Sequence, residues 1–290
     1  MSKKKLLISF SGGETSAYMA QWLKANKSDE FEMVFVFANT GQENEETLEF
    51  IEKCNKAFDL DTVWVEGVFH KEHRKGTTHK ITNFKDACRD ESLFEEMIKV
   101  YGIPNQSYPH CNRELKLQVI KSYMRSIGWK DYYTAIGIRN DEVDRVNAKW
   151  RQNKLYYPLV NDRPMTKAKI NFWWSQQPFR LELKHYQGNC KTCWKKGFPK
   201  LYQIAKETPE YFEAFDTLEE KYKNFVPPSR DQNAKGIHFF RGNKSAKDIL
   251  KESKTFNGVI RDDSANLNFQ TSLLDFEESC DIFAECGIDN

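Results

Sequence analysis

Three groups of residues in this chain have types and spacings suited to chemistry: a glycine and hydroxyl loop, two arginines beside a carboxylate, and a set of cysteines. The loop is Ser11-Gly12-Gly13-Glu14-Thr15-Ser16, directly after the apolar run Lys5 to Phe10. Adjacent glycines let a backbone approach an anion closely with its N–H groups turned inward. Ser11, Thr15 and Ser16 add hydroxyl donors, and a helix starting near Thr15 would add its positive end. The pattern is neither the dinucleotide fingerprint nor the Walker loop, because the third glycine and the Lys-Ser/Thr pair are missing. Read alone, it also suits an ordinary strand-to-helix turn. A second strand end carries Asn39-Thr40-Gly41, where an adenine or ribose could rest.

Arg139, Asp141 and Arg145 follow the apolar run Tyr132 to Ile138. A guanidinium is a planar, permanently charged fork that matches phosphate or sulfate oxygens. Asp141 would orient one arginine or bind a metal carried by a nucleotide; the alternative is a solvated loop of ordinary ion pairs. Cys190-Lys191-Thr192-Cys193 can chelate a metal or cluster, or form a redox disulfide. The thioredoxin-like form of that motif needs a strand-to-helix context near the start of a domain, which is absent. Cys111 follows His110, Cys88 lies upstream, and Cys280 and Cys286 lie in the last eleven residues. Cys54 sits among apolar helix positions and reads as core.

The elements that position these groups follow from the pattern of apolar runs. Lys5–Phe10, Met33–Ala38 and Thr62–Val65 read as strands, separated by helices over Thr15–Lys24 and Glu43–Phe58. This alternation predicts a Rossmann-like, doubly wound parallel α/β sheet with right-handed crossovers, its ligands at the carboxyl ends of the strands. Residues 66–110 lose the rhythm and read as an insertion over one end of the sheet, with a short helix near Glu91–Val100. Regularity returns with a helix over Arg113–Ile127, a strand over Tyr132–Ile138, a polar loop, a Pro158-Leu159 turn and a helix from Lys167 to about Gln176. From Gly188 the character changes to a mostly helical extension, with one aromatic and charged helix near Lys200–Lys223. Two units are therefore expected, residues 1–187 and 188–290.

The bulk composition narrows the partners. The chain has 290 residues, 30% of them charged, with a net charge of only +2, so no strong global field drives it to nucleic acid or membrane. Nucleic acid is possible as a partner but not required. No apolar run approaches the roughly 20 residues of a membrane helix, and the short run after the basic start ends in a glycine loop rather than a cleavage site. A cytoplasmic protein is expected, whose seven cysteines are not a disulfide framework.

Five motifs in order give a resemblance. Ser11-Gly12-Gly13-Glu14-Thr15-Ser16 resembles the PP-loop of ATP pyrophosphatases, and the whole is similar to the phosphoadenosine phosphosulfate (PAPS) reductase family of adenine nucleotide alpha-hydrolase-like folds. Asn39-Thr40-Gly41 with Glu46, the segment Cys111-Asn112-Arg113-Glu114-Leu115-Lys116, the segment Gly137 to Glu142 with Arg145, and Tyr157-Pro158-Leu159 before Trp173-Trp174 supply the other four. Glu14 and Asn39 stand where the family usually has Asp. The resemblance implies an adenine nucleotide (PAPS, its unphosphorylated analogue APS, or ATP), held by residues 11–16 and 39–41 with Arg113 and Arg145. Magnesium would accompany the nucleotide where the reaction needs it.

It further implies three thiolate ligands, Cys111, Cys190 and Cys193, for a [4Fe-4S] iron–sulfur cluster, with zinc as the alternative. His110 is the nearest candidate for the fourth ligand and Cys88 the next. Glu285-Cys286-Gly287-Ile288 is similar to the family's C-terminal segment, whose thiolate attacks the sulfur of the nucleotide and is resolved by a thioredoxin-like reductant. Arg139 and Asp141 would complete the catalytic set with Cys286. The competing readings are an ATP pyrophosphatase that adenylates a substrate on the way to modifying nucleic acid or a small molecule, and a nucleotide sensor without turnover.

Overall fold

The computed structural model describes residues 3–72, 74–228, 236–258 and 260. Six strands form one sheet in the order β4-β3-β2-β1-β5-β6. They are β1 (Lys4–Ser9), β2 (Phe31–Ala38), β3 (Val63–Val68), β4 (Thr78–Thr82), β5 (Tyr133–Ala135) and β6 (Leu155–Tyr156). All neighbours run parallel except β4, which pairs antiparallel with β3. The expected doubly wound sheet is present, mostly parallel rather than wholly so.

Around it lie α1 (Glu14–Lys27), α2 (Glu45–Phe58), α3 (Ser92–Tyr101), the short α4 (His110–Asn112), α5 (Gln118–Ser126), α6 (Pro158–Asn161) and α7 (Lys167–Ser175). The extension adds α8 (Phe198–Glu207), α9 (Pro209–Tyr222) and α10 (Ala246–Thr255). None of the described helices is long and apolar enough to cross a membrane.

Alternation along β1 sends Leu6 and Ile8 to one face and Leu7 to the other. The first face packs on α1, α2 and α7 through Met19, Leu23, Phe50 and Trp174. The second packs on α5 through Val119, Ile120 and Met124. Both faces are covered, which is why β1 and β2 read as continuous apolar runs. A third cluster joins α3 to the extension: Phe94 and Met97 pack with Trp194, Leu201, Phe212, Phe239 and Ile249. The segment 66–110 therefore contributes one helix to this C-terminal lobe and one edge strand to the sheet.

Several elements differ from the sequence reading. The single helix expected over 200–223 is two, broken at Thr208, because Pro209 opens α9 and lacks the N–H that would continue α8. β4 went unread because Thr-His-Lys-Ile-Thr is polar and its Ile81 faces solvent at an open edge. β6 has only two residues. The helix after residue 110 contains a π-helical stretch, Arg113–Leu117, in which the Gln118 N–H donates to the Arg113 carbonyl.

The lobe turns on one buried carboxylate. Glu219 on α9 is 1% exposed and accepts hydrogen bonds from the Phe239 N–H and the Ala246 N–H, both at 2.7 Å. Burial pushes its carboxyl up to about 7 from the ordinary 4.5, with Asp216 and Asp248 adding to the rise. The folded lobe thus holds a proton that the unfolded chain releases between those two values. Stability present below this window is lost as the pH rises through 7, by about 3 kcal/mol for such a shift. Thermal unfolding at pH 5.5 and pH 8 is expected to show a lower Tm at the higher pH. The difference should shrink in Glu219→Gln; an equal difference in both proteins would mean that another group is responsible.

Candidate functional site

The strand order reverses between β2-β1 and β1-β5, so a crevice opens where the chain leaves β1 and β5. A cavity of about 420 Å³ lies there. Ser11, Gly13, Glu14, Thr15 and Ser16 form one side of it. Gly13 is the N-cap of α1 and supplies no side-chain cap, so the first-turn amides keep their positive end towards the cavity. The loop is already ordered: the Ser11 hydroxyl donates to Ser16 Oγ at 3.0 Å, and the Ser16 hydroxyl to the Gly13 carbonyl at 2.9 Å.

Gly12 does a different job. It has φ +84°, and a Cβ there would lie 2.7 Å from Thr47 Cγ2 and 2.9 Å from Ile51 Cδ1. It lets the loop bed down on α2, and it does not line the cavity. Gly137, past β5, plays the matching part: a Cβ there would lie 3.2 Å from Ser16 Cα.

Arg139 is buried beside this loop. Its Nε donates to Asp141 Oδ1 at 3.0 Å, its Nη1 to Thr15 Oγ1 at 3.4 Å, and Glu142 lies 3.5 Å away. Asp141 also accepts from the Lys167 N–H at 3.0 Å, so it braces the arginine against the start of α7. Asp141 and Arg145 do not line the cavity; Arg145 donates to Glu142 Oε1 at 2.5 Å. Lys167 is buried and lines the wall, with its Nζ 3.3 Å from His185 Nδ1.

Glu14 turns away from the role its position suggests. Its two carboxylate oxygens accept from Arg180 Nε and Nη2, each at 3.0 Å, and Oε1 also accepts from the Leu181 N–H. This fork ties the segment after α7 to the loop. The next residues then close over the cavity: the Asn189 amide donates to the Ser11 carbonyl at 3.0 Å, Asn44 donates to the Gly188 carbonyl, and the Lys191 N–H donates to the Gln42 carbonyl at 2.8 Å. Lys196, Lys200 and Arg241 also line the cavity, with Gly197 as the N-cap of α8. Altogether eight lysines and arginines line the cavity against two glutamates, a wall suited to a polyanion.

The second signature is spent on internal bonds. Asn39 donates to Glu66 Oε1 at 2.6 Å and to the Cys88 carbonyl at 2.8 Å, Thr40 donates to Glu43, and Gly41 has φ +75° with the Asp90 carbonyl 2.4 Å from where a Cβ would sit. Asn39 and Gly41 do not line the cavity. Arg113 is half exposed and pairs with Glu114 at 2.6 Å, also away from it.

Cys111, Cys190 and Cys193 share the wall of a second cavity of about 40 Å³, closed by Phe94, Trp194, Phe215 and Phe239. Lys116, Cys190 and Cys193 face both cavities. The π-helical stretch widens the winding between Cys111 and Lys116, because its hydrogen bond spans five residues rather than four, and both side chains line the second cavity. Three thiols have the donor chemistry for a soft metal. Their spacing does not yet make a ligand shell, since no three His, Cys, Asp or Glu among the described residues stand as a metal-holding group. His110 is off this wall, between the rings of Tyr101 and Tyr108. Cys88 lies within hydrogen-bond distance of Asp90 and Ser92. Cys54 is core as expected, and burial pushes its thiol pKa up. Cys280 and Cys286 lie outside the described residues.

The model of the phosphoadenosine phosphosulfate reductase domain matches residues 5–154, just over half of the chain. The chain belongs to that family. PAPS reductase domains are part of the PP-loop adenine nucleotide alpha-hydrolase-like superfamily, and the loop and Arg139 fall inside the matched span, while much of the cavity wall lies beyond it. An uncharacterized nin region protein of Escherichia phage lambda is 28% identical over 283 residues, covering 96% of this chain and 94% of the phage protein. That likeness runs past the PAPS reductase domain into the C-terminal lobe. Two uncharacterized proteins of Methanocaldococcus jannaschii are also similar. One is 24% identical over 76% of this chain and 42% of its own length, the other 31% identical over 46% and 26%.

Lys167, Arg180, His185, Asn189, Lys200 and Arg241 line the cavity without having been singled out in the sequence. A signal existed for one of them: Gly197 followed by Pro199 marks a helix start, which places Lys200 in a first turn. Arg139→Gln is expected to weaken adenine-nucleotide binding about tenfold or more, since a charge-assisted hydrogen bond contributes about 1.5–3 kcal/mol. Calorimetric titration checks this; unchanged affinity would remove Arg139 from the ligand's contacts.

Proposed function

We propose that this chain is an enzyme that binds an adenine nucleotide at the switch point and carries out sulfur transfer or sulfonucleotide reduction. The observation that carries the reading is the meeting of the PP-loop, Arg139 and Lys167 on one cation-rich cavity. The phosphate end would lie against Ser11, Gly13, Thr15 and Ser16, where α1 offers its first-turn amides. Arg139, braced by Asp141, would stabilise charge that develops on a leaving phosphate.

With PAPS or APS, the family implies thiolate attack on sulfur, a role that falls to Cys286. The sulfur–oxygen bond breaks, and its electron pair leaves on the nucleotide's phosphate. A thioredoxin-like dithiol then attacks the Cys286 sulfur, and sulfite departs with the S–S bonding pair. The second thiol of the reductant releases Cys286 and leaves a disulfide on the reductant.

A second reading is an ATP pyrophosphatase. It is favoured by the retained loop, whose three hydroxyl residues all face the cavity. A substrate nucleophile would attack the α-phosphorus, and pyrophosphate would leave onto the PP-loop.

The two readings separate by product. Purified protein is incubated with PAPS or APS plus reduced thioredoxin, and separately with ATP and magnesium. Sulfite formation that is lost in Cys286→Ser supports the first reading. Pyrophosphate release unaffected by that change supports the second. Tight nucleotide binding with neither product leaves a sensor.

We also propose that Cys111, Cys190 and Cys193 draw together on a soft metal centre, an iron–sulfur cluster or zinc; no step above uses it. The support is their shared cavity wall. Elemental analysis of anaerobically purified protein should find stoichiometric iron or zinc that falls in Cys193→Ser. Metal-free, fully folded protein would end this assignment.

A further inference from the structure

The glycine loop and two of the thiols are joined through one side chain. Residues 183–193 run along the main cavity and carry Cys190 and Cys193, which also line the smaller cavity beside it. Among them, the Asn189 amide donates to the Ser11 carbonyl at 3.0 Å, and its Oδ1 lies 3.4 Å from where a Cβ of Gly13 would sit. We propose that Asn189 is a positioning residue that couples the nucleotide's phosphates to the thiol segment: a filled loop holds residues 188–193 in place, and they in turn complete the loop. This rests on the nucleotide reading above and adds to it a residue beyond the matched span 5–154.

A polyanion site needs N–H groups turned towards the ligand and carbonyl oxygens satisfied elsewhere, because a bare carbonyl presents the negative end of its dipole. The loop meets this condition at three carbonyls. That of Gly13 accepts from the Ser16 hydroxyl at 2.9 Å and from the Ala17 N–H at 3.0 Å. That of Glu14 accepts from the Trp174 indole N–H at 3.0 Å. The cap on Ser11 comes from Asn189, and of these caps it alone is carried by the segment that bears the thiols.

The other end of the joint is equally fixed. Gly188, at φ +63°, turns the chain into Asn189, and the Asn44 amide donates to the Gly188 carbonyl at 3.0 Å. One residue beyond Asn189, Cys190 forms an antiparallel bridge with Glu43, and the Lys191 N–H donates to the Gln42 carbonyl at 2.8 Å. The Lys196 ammonium donates to the Cys190 carbonyl. These hydrogen bonds all end on backbone carbonyls, so they fix the course of the chain through Cys190.

The bonds at Gly188 and Asn189 are only partly buried. A segment held by a few such bonds opens locally at low cost, so one added constraint shifts how often it is closed. Phosphates seated on the first-turn amides of α1 hold the loop, and the Ser11 carbonyl then offers Asn189 a fixed acceptor. Coupling of this kind is reciprocal: what the closed segment adds to nucleotide affinity, the nucleotide adds to the closed segment. The consequence is that Cys190 and Cys193 are set in their places on the wall when the phosphate loop is occupied.

Hydrogen exchange reads this coupling in the whole chain without relying on turnover or on a metal. The protein is exchanged alone and saturated with a non-hydrolysable ATP analogue, and peptides covering 13–17 and 188–193 are followed by mass spectrometry. The analogue should slow exchange about threefold or more in both. In saturated Asn189→Leu the slowing should persist over 13–17 and vanish over 188–193, and Asn189→Gln, which keeps an amide donor, should restore it. By calorimetry, Asn189→Leu should bind the analogue about twofold to tenfold more weakly, as the loss of one neutral hydrogen bond implies. Asn189 is half-buried and outside the apolar clusters, so its variants leave the core intact.

Exchange over 188–193 that ignores the bound analogue in the wild type overturns the proposal, whatever the variants do. So does slowing that survives intact in Asn189→Leu, which would mean that the ligand touches the segment directly. Equal loss in Asn189→Gln overturns it too, by assigning the effect to side-chain shape rather than to the amide donor. An analogue that fails to bind removes the nucleotide reading and the coupling together, whereas one that binds without effect on 188–193 removes the coupling alone.

Discussion

The carboxylate of Glu14 gripping Nε and Nη2 of Arg180 decides where the second half of the chain can go. Residue 14 is the first of α1 and residue 180 follows α7, so the fork brings a remote segment to the rim of the glycine loop. A carboxylate–guanidinium pair in fork geometry is directional as well as strong, and here it is largely shielded from water. From that anchor, Leu183 to Cys193 has nowhere to run but across the cavity mouth, where Asn189 and Lys191 pin it to the ends of β1 and β2. The longer side chain in place of the family's usual Asp makes sense in these terms. One more methylene lets residue 14 reach outward to the arm.

A similar division of labour runs through the other signatures. Of the two glycines in the loop, Gly13 faces the ligand side and Gly12 faces α2, so one motif serves binding and packing at once. Asn39, Glu66 and the Cys88 backbone form a closed polar knot where β2 and β3 end. Buried polar groups of this kind are costly unless each finds a partner, and the knot supplies them. It fixes the Thr40–Asn44 turn to which the Cys190 segment is pinned.

The nucleotide half of the fold was legible because its signals are local. β1 and β2 are unbroken apolar runs, the glycine loop joins β1 directly to α1, and Arg139 follows its strand within a few residues. The other half of the site was not, because its residues are local to nothing. Arg241 is more than 200 residues from Ser11 and arrives by way of a buried glutamate and a three-residue turn. Lys167 and Arg180 look like ordinary helix-edge cations until Asp141 and Glu14 are seen to hold their surroundings. Cys111, Cys190 and Cys193, far apart in sequence, meet on one cavity wall, and His110 lies against the rings of Tyr101 and Tyr108.

The widened winding at Arg113–Leu117 has a consequence for chain length. Such a stretch holds one residue more than regular winding would need over the same rise. Removing that residue would tighten the helix, which by itself is favourable, and would leave α5 free to keep its apolar seam against β1, β2 and β3. Lys116 and Cys111, however, would no longer share a side. Between residues 111 and 118 the spacing is therefore under tighter control than the residue types, and this segment should tolerate substitution far better than shortening.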